Sequence, residues 1–291
     1  MDVITSPAIM RRTAEELRRD NASLGLVPTM GYFHEGHLSL MRRARADCRW
    51  VVVSLFVNPA QFGAGEDLNR YPRNFERDKE LAAATGADVL FAPDAEAMYP
   101  DGYASYVDVE RLTDRLCGAS RPGHFRGVAT VVAKLFNLCR PTTAYFGRKD
   151  YQQAQVIKRL VADLDYGIEI DVLPTVREAD GLAMSSRNEY LSPTERRQAT
   201  CLYRALARAR ELFAAGVRDP ARYVAEMTAV AAAEPDARLD YAEVVHAEEL
   251  TPVTEVEAGA VSALAVFINK TRLIDNTALG EDDLKVGANP C

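Results

Sequence analysis

Leu24-Gly25-Leu26-Val27-Pro28-Thr29-Met30-Gly31-Tyr32-Phe33-His34-Glu35-Gly36-His37 carries an apolar run into a loop that holds two of the chain's four histidines. Beyond it, Leu38, Met41, Ala44 and Cys48 recur at three- and four-residue spacing, the pattern of an amphipathic helix. The stretch therefore reads as a strand, a turn and a helix start, with two imidazoles three residues apart in the turn. Unpaired backbone N–H groups and the helix dipole favour anions at such a place. Gly36 lets a ligand approach the main chain closely. The reading is a nucleotide triphosphate site at the carboxyl edge of a sheet.

The same alternation continues outward from this stretch. Candidate strands at Leu24–Val27, Trp50–Val57, Ala87–Ala92, Thr142–Phe146 and Ile168–Leu173 are separated by helical patterns near Leu38–Arg49, Phe75–Thr85, Val128–Cys139 and Tyr151–Leu164. Strands apolar throughout, such as Val51-Val52-Val53-Ser54-Leu55-Phe56-Val57, suit a parallel sheet covered on both faces. Residues 1–175 are thus expected to form an α/β, doubly wound parallel sheet with ligands at the carboxyl ends of its strands. Residues 176–291 change character and are expected to form a smaller α+β domain. There Ser192-Pro193-Thr194-Glu195 offers a capped helix start, and the Ala/Arg-rich helix that follows is expected to reach about Ala215. A second helix is expected over Pro220–Ala233, then strands at Leu239–Val245, Val261–Ile268 and Thr271–Ile274, and a loose polar tail from Gly280 to Cys291.

Composition narrows the function classes. A chain of 291 residues with 48% hydrophobic and 26% charged residues is ordinary for a globular protein. Its net charge of −7 argues against a general nucleic-acid binder, so an anionic substrate must be held by local positive charge. Five cysteines, Cys48, Cys117, Cys139, Cys201 and Cys291, form no CxxC pair, and their odd number suits a reduced cytoplasmic protein. Neither a signal peptide nor an apolar run of about eighteen residues is present, so no membrane partner is expected.

Four further stretches carry chemistry. Phe56-Val57-Asn58-Pro59-Ala60-Gln61-Phe62 leaves a strand at the same edge; Asn58 and Gln61 offer neutral hydrogen bonds suited to a hydroxyl- and carboxylate-bearing small molecule. Phe146-Gly147-Arg148-Lys149-Asp150-Tyr151-Gln152-Gln153 runs from strand to helix, with Lys149 able to reach phosphate oxygens and Asp150 either a helix cap or a ligand contact. Gln153, in the first helical turn, leans back toward the pocket. Asp180-Gly181 is a turn signal, and Met184-Ser185-Ser186-Arg187 after it clusters donors suited to a triphosphate. Arg121-Pro122-Gly123-His124 lends a candidate cation, and Glu66-Asp67 with Glu76 and Asp78 are candidate magnesium ligands.

Together these stretches resemble the pantothenate synthetase, or pantoate–β-alanine ligase, family. The resemblance rests on Val27-Pro28-Thr29-Met30-Gly31 with His34-x-Gly36-His37, on Phe56-Val57-Asn58-Pro59-x-Gln61-Phe62 with Tyr71-Pro72-Arg73, and on Phe146-Gly147-x-Lys149-Asp150-x-x-Gln153. Asp180 to Asn188 and Arg272-Leu273-Ile274-Asp275-Asn276 extend it. It implies a Rossmann-like fold of the HIGH-motif nucleotidyltransferase superfamily, a C-terminal lid domain, a homodimer, and cytoplasmic work in pantothenate biosynthesis. It also implies ATP as substrate, with Mg²⁺, and a reaction joining (R)-pantoate to β-alanine through pantoyl adenylate, with AMP and diphosphate released. On this sequence, Met30, Gly31, Tyr32, Phe33, His34, Glu35, Gly36 and His37 would line ATP, with His37 as proton donor and His34 and Lys149 as further catalytic groups. Gly147, Arg148, Lys149, Asp150, Val176, Met184, Ser185, Ser186 and Arg187 would complete that site; Gln61 and Gln153 would hold pantoate, and Gln61 also β-alanine. The chain departs from the family pattern at Tyr32-Phe33, which is bulkier, at Arg148, and at Arg77, which stands where an acidic residue is common.

Rival readings share the histidine turn. A nucleotidyltransferase acting on a phosphate-bearing substrate conflicts with the neutral pair Gln61 and Gln153. A class I aminoacyl-tRNA synthetase fragment conflicts with the acidic balance, and a nucleotide sensor with the retention of both histidines and Lys149.

Overall fold

The computed structural model of the chain describes residues 1–286. Two compact units are present: Met1–Glu110, Arg121–Arg148 and Gln153–Leu173 form the first, and Arg111–Ser120, Lys149–Gln152 and Pro174 onward form the second.

In the first unit six parallel strands, β1 (Asp2–Ile4), β2 (Leu24–Thr29), β3 (Trp50–Leu55), β4 (Val89–Phe91), β5 (Thr143–Gly147) and β6 (Glu169–Leu173), lie in the order β1-β4-β3-β2-β5-β6. The chain leaves β2 toward β3 and β4 on one side, then returns to add β5 and β6 on the other. The strand order therefore reverses between β2 and β5, and the crevice at their carboxyl ends is where such sheets bind ligands. The unit's helices are α1 (Pro7–Leu17), α2 (Glu35–Asp47), α3 (Phe75–Ala84) and α4 (Ala95–Met98), then, after α5 (Cys117–Ser120) of the second unit, α6 (His124–Cys139) and, from Gln153 on, α7 (Tyr151–Asp163). Burial drives this architecture: Val51, Val52 and Val53 of β3 are all inaccessible to solvent, as the unbroken apolar run requires. Val27, Phe33, Met41, Ala44 and Tyr145 share one core cluster. Gly25 of β2 is needed for close packing, since a Cβ there would stand 3.1 Å from the Tyr145 ring and 3.2 Å from Cys48 Sγ.

In the second unit an antiparallel sheet of β7 (Ala237–Val245), β8 (Val261–Ile268) and β9 (Thr271–Ala278) packs against α9 (Cys201–Ala214) and α10 (Pro220–Ala232). Leu202, Leu206, Tyr223, Met227 and Leu264 anchor its core. The expected capped start is present at α8 (Pro193–Ala199), where Ser192 Oγ accepts from Glu195 N and Glu195 Oε2 accepts from Ser192 N.

Several expectations need correction. β1 and α1 have no counterpart in the sequence reading; the three residues of β1 are too few to show a period. The helix expected to run unbroken to Ala215 is interrupted at Thr200, whose hydroxyl donates to Arg197 O at 2.7 Å and tightens the last turn of α8. β9 continues past Ile274 through the polar residues Asp275, Asn276 and Thr277, all buried. The tail is not loose from Gly280: Leu284 is buried, and Asp283 accepts from Ala278 N at 2.9 Å. Gly287 to Cys291 lie outside the described residues.

Candidate active site

The loop from β2 into α2 sits at the reversal point of the sheet. Gly31 has φ +86° and Tyr32 φ +53°, two successive left-handed residues, which is costly at the non-glycine position. What holds them is Asp78 of α3, 1% exposed, whose two oxygens accept from Tyr32 N at 2.6 Å and Phe33 N at 2.7 Å. Burial raises the Asp78 carboxyl above its ordinary value, while those two N–H bonds and the Arg77 charge pull the other way. Asp78 is thus an anchor for the loop. Its place as a candidate magnesium ligand is withdrawn on that geometry. The departures at Tyr32-Phe33 and Arg77 prove to be linked. Phe33 is fully buried in the core, and the Arg77 guanidinium lies 5.4 Å from the Tyr32 ring centroid.

His34 is the N-cap of α2. Its Nδ1 accepts from Gly36 N at 3.2 Å, and His37 Nδ1 accepts from His34 N at 3.3 Å, with the two rings 4.1 Å apart. Both Nδ1 atoms are acceptors, so each neutral ring carries its proton on Nε2. Two N–H donors of fixed tautomer thus stand at a helix N-terminus. Gly36 has a structural reason beyond ligand approach, because a Cβ there would lie 2.9 Å from His34 Cε1. Glu35 pairs with Arg42 on the outer face of the helix.

After β3 the chain forms a short 3-10 turn, Pro59–Gln61, on which Asn58 acts as a brace. Asn58 is 1% exposed; its amide donates to Gln61 Oε1 and Gly127 O, both at 3.1 Å, and its oxygen accepts from Ala60 N and from Tyr99 OH. Asn58 is therefore committed to the protein, contrary to the expectation that it would face a ligand. Gln61 keeps its Nε2 3.1 Å from Met30 Sδ, at the head of the β2–α2 loop. The cation expected from Arg121 is also spent, since the guanidinium holds both oxygens of Glu66 at 2.7 Å. Burial pushes the Glu66 carboxyl up, but the Arg121 hydrogen bonds and charge outweigh it and leave Glu66 below its ordinary value.

β5, hydrogen-bonded to β2, ends at Gly147 and is followed by Arg148, Lys149 and Asp150 in a 3-10 turn. Gln153 is half-buried in the first turn of α7. In the second unit, Lys149 Nζ lies 3.6 Å from Asp150 Oδ1, and Lys149 O accepts from Asn276 Nδ2 at 3.0 Å. Val176 O accepts from Met184 N at 3.0 Å, which closes the hairpin that carries Ser185, Ser186 and Arg187. Ser185 caps the 3-10 turn Ser186–Tyr190 by accepting from Arg187 N at 3.3 Å. Beneath the hairpin Arg177 and Asp275 form a fully buried two-bond pair at 2.6 and 3.0 Å. Sequence reasoning gives no site role to Asp275, Asn276 or Gln152. Gln152 ties down Leu112, Arg115 and Cys117, accepting from the last and donating to the first two. The signal for Asp275 and Asn276 is their place in the Arg272-to-Asn276 stretch that carries the resemblance, and Gln152 has none beyond its neighbour Gln153.

A reversed parallel sheet, a histidine-capped helix at its switch point and hydroxyl- and cation-bearing turns define an α/β nucleotide-binding enzyme. The comparisons with known proteins make the class specific. A family model for pantoate-beta-alanine ligase matches residues 2–278, and the chain belongs to that family. A pantothenate synthetase of Heliobacterium modesticaldum is 58% identical over 276 residues, which is 95% of this chain and 98% of the relative. The crystal structure of pantothenate synthetase from Thermus thermophilus superposes with a TM-score of 0.91 at 49% identity, covering 96% of this chain and 99% of that one. A pantoate-beta-alanine ligase from Francisella tularensis, solved in complex with beta-gamma ATP and beta-alanine, aligns with a TM-score of 0.79 at 33% identity over 96% of this chain and 97% of that one.

Proposed function

We propose that this ligase joins (R)-pantoate to β-alanine in two steps on one site. The pantoate carboxylate attacks the α-phosphorus of ATP, expelling diphosphate and leaving pantoyl adenylate; the neutral amine of β-alanine then attacks the acyl carbon and releases AMP. Met30 to His37, with Gly147 to Asp150, Val176 and Met184 to Arg187, bind ATP. Gln61 and Gln153 hold pantoate, and Gln61 receives β-alanine. The observation that best supports this reading is Gln61, a neutral amide lodged against Met30 at the head of the histidine loop. An uncharged donor there aims a carboxylate without neutralising it, whereas a phosphate monoester would call for cations.

The first step brings two anions together, so its catalysis is alignment and charge stabilisation. The Nε2–H groups of His34 and His37 donate to phosphate oxygens, and Lys149 adds a point charge. Mg²⁺ enters as part of the substrate MgATP. The phosphates and water would supply most of that ion's ligands.

We also infer a homodimer working in the cytoplasm. The four cysteines of the described residues are free and buried, as a reducing compartment allows. No helix of those residues is long and apolar enough to cross a membrane. The test of the reaction is diphosphate release from MgATP measured with pantoate, with other hydroxy acids and with a phosphate monoester. Release that depends on pantoate is expected; release driven by the phosphate monoester instead would overturn the proposal.

A further inference from the structure

Gln61 is held at both ends, and the residues holding its main chain have no place in the reaction as described. Its carbonyl oxygen accepts from His124 Nδ1 at 2.8 Å and from Arg121 Nη2 at 3.4 Å. Arg121 Nη1 lies 3.0 Å from His124 Nε2, while its Nε and Nη2 each donate to Glu66 at 2.7 Å. A guanidinium only donates and a carbonyl only accepts, so a single ring state satisfies both neighbours: neutral, with the proton on Nδ1 and the lone pair on Nε2. This is the opposite tautomer to that of His34 and His37. Glu66 fixes Arg121, Arg121 fixes the His124 tautomer, and His124 fixes the Gln61 carbonyl.

The backbone has been fitted to the same end. A Cβ on Gly127 of α6 would stand 2.2 Å from Ala60 O and 2.6 Å from Gln61 N. The first turn of α6, which begins at His124, therefore lies directly on the Pro59–Gln61 main chain. Asn58 completes the clamp from the side-chain end.

We propose that His124 is a positioning residue for the organic acid, acting through Gln61 and kept in register by Arg121 and Glu66. This rests on the assignment of Gln61 to pantoate. The relay lets a neutral amide meet the pantoate carboxylate in a fixed orientation, while the Arg121 charge is held by Glu66.

The test measures KM for pantoate and for ATP, and kcat, in wild type, His124→Ala, His124→Asn and Glu66→Gln. The asparagine amide nitrogen can stand where Nδ1 stands and donate to Gln61 O. Loss of the shorter of its two donors leaves the Gln61 carbonyl to the 3.4 Å bond from Arg121 alone, so His124→Ala is expected to raise KM for pantoate by about tenfold with KM for ATP within about twofold. His124→Asn is expected to restore it to within about threefold, and Glu66→Gln to fall between. An equal rise in both KM values, or His124→Asn as impaired as His124→Ala, means a merely structural role and overturns the proposal. So does a normal pantoate KM in His124→Ala. If wild-type protein releases no diphosphate with pantoate, the functional reading itself fails, and this proposal with it.

Discussion

Replacing Asp78 by asparagine should separate the stability of the fold from the order of the nucleotide loop. The carboxylate accepts the Tyr32 and Phe33 N–H groups at 2.6 and 2.7 Å, and it does so for a tyrosine at φ +53°. Hydrogen bonds to a charged acceptor are worth about 1.5–3 kcal/mol each, and the left-handed conformation costs about 1–2 kcal/mol at a non-glycine residue. Asparagine keeps one acceptor but turns an N–H toward the other donor, so the loop should lose about 2 kcal/mol of its hold. A population shift of that size weakens apparent ATP affinity by roughly thirtyfold. Global stability should change far less, because burial makes the ionised carboxyl a cost that asparagine removes. The pH sign follows from the raised native value. In wild type the stabilising share of Asp78 is complete below the unfolded value and is lost as pH rises through the native one. The variant lacks that loss, so it should gain on wild type as pH rises through the acid range. Calorimetric titration with MgATP reads the first effect, and urea unfolding between about pH 3 and 7 reads the second. Wild-type ATP affinity combined with a clear loss of stability would refute this reasoning.

Three further outcomes test other parts of the structure. Glu66→Gln should destabilise the protein near neutral pH and converge with wild type in acid: the lowered native carboxyl contributes stability above its unfolded value and loses it as pH falls through the native one, which urea unfolding against pH will show. Gly127→Ala forces a Cβ to within 2.2 Å of a backbone oxygen, so it should cost about 1–3 kcal/mol and lower Tm by several degrees in a thermal melt. Asp275→Asn removes the carboxylate that directly pairs with the fully buried Arg177; about 3–5 kcal/mol should be lost in urea unfolding, and a change below about 1 kcal/mol would contradict the role given to the pair.

The sheet was legible in the sequence because parallel strands buried on both faces must be apolar throughout, as Val51 to Val53 are, and the helices between them repeat with a different period. The histidine turn was legible for a similar reason: an apolar run, two imidazoles and a helical pattern occur in unbroken order. β1 was hidden because Asp2–Ile4 gains its stability from pairing with β4, a partner far along the chain. The end of β9 was hidden because Asp275, Asn276 and Thr277 read as polar, and only the fold shows that they are buried with partners in Arg177, Lys149 O and Asp283. The same reason explains how Asp78 and Asn58 were misread as ligand-facing. Sequence shows which side chains can bind, and it does not show which are already bound to backbone groups of the protein itself.

A single incubation addresses the chemistry most directly. The protein is mixed with MgATP and pantoate, β-alanine is left out, and the bound fraction is examined by mass spectrometry while diphosphate is counted. One equivalent of an acyl-AMP with one of diphosphate per active site is the predicted result, reduced at least about a hundredfold in rate by His37→Ala or Lys149→Ala with the fold intact. Diphosphate that appears only after β-alanine is added, with no acyl-AMP at any time, would contradict it.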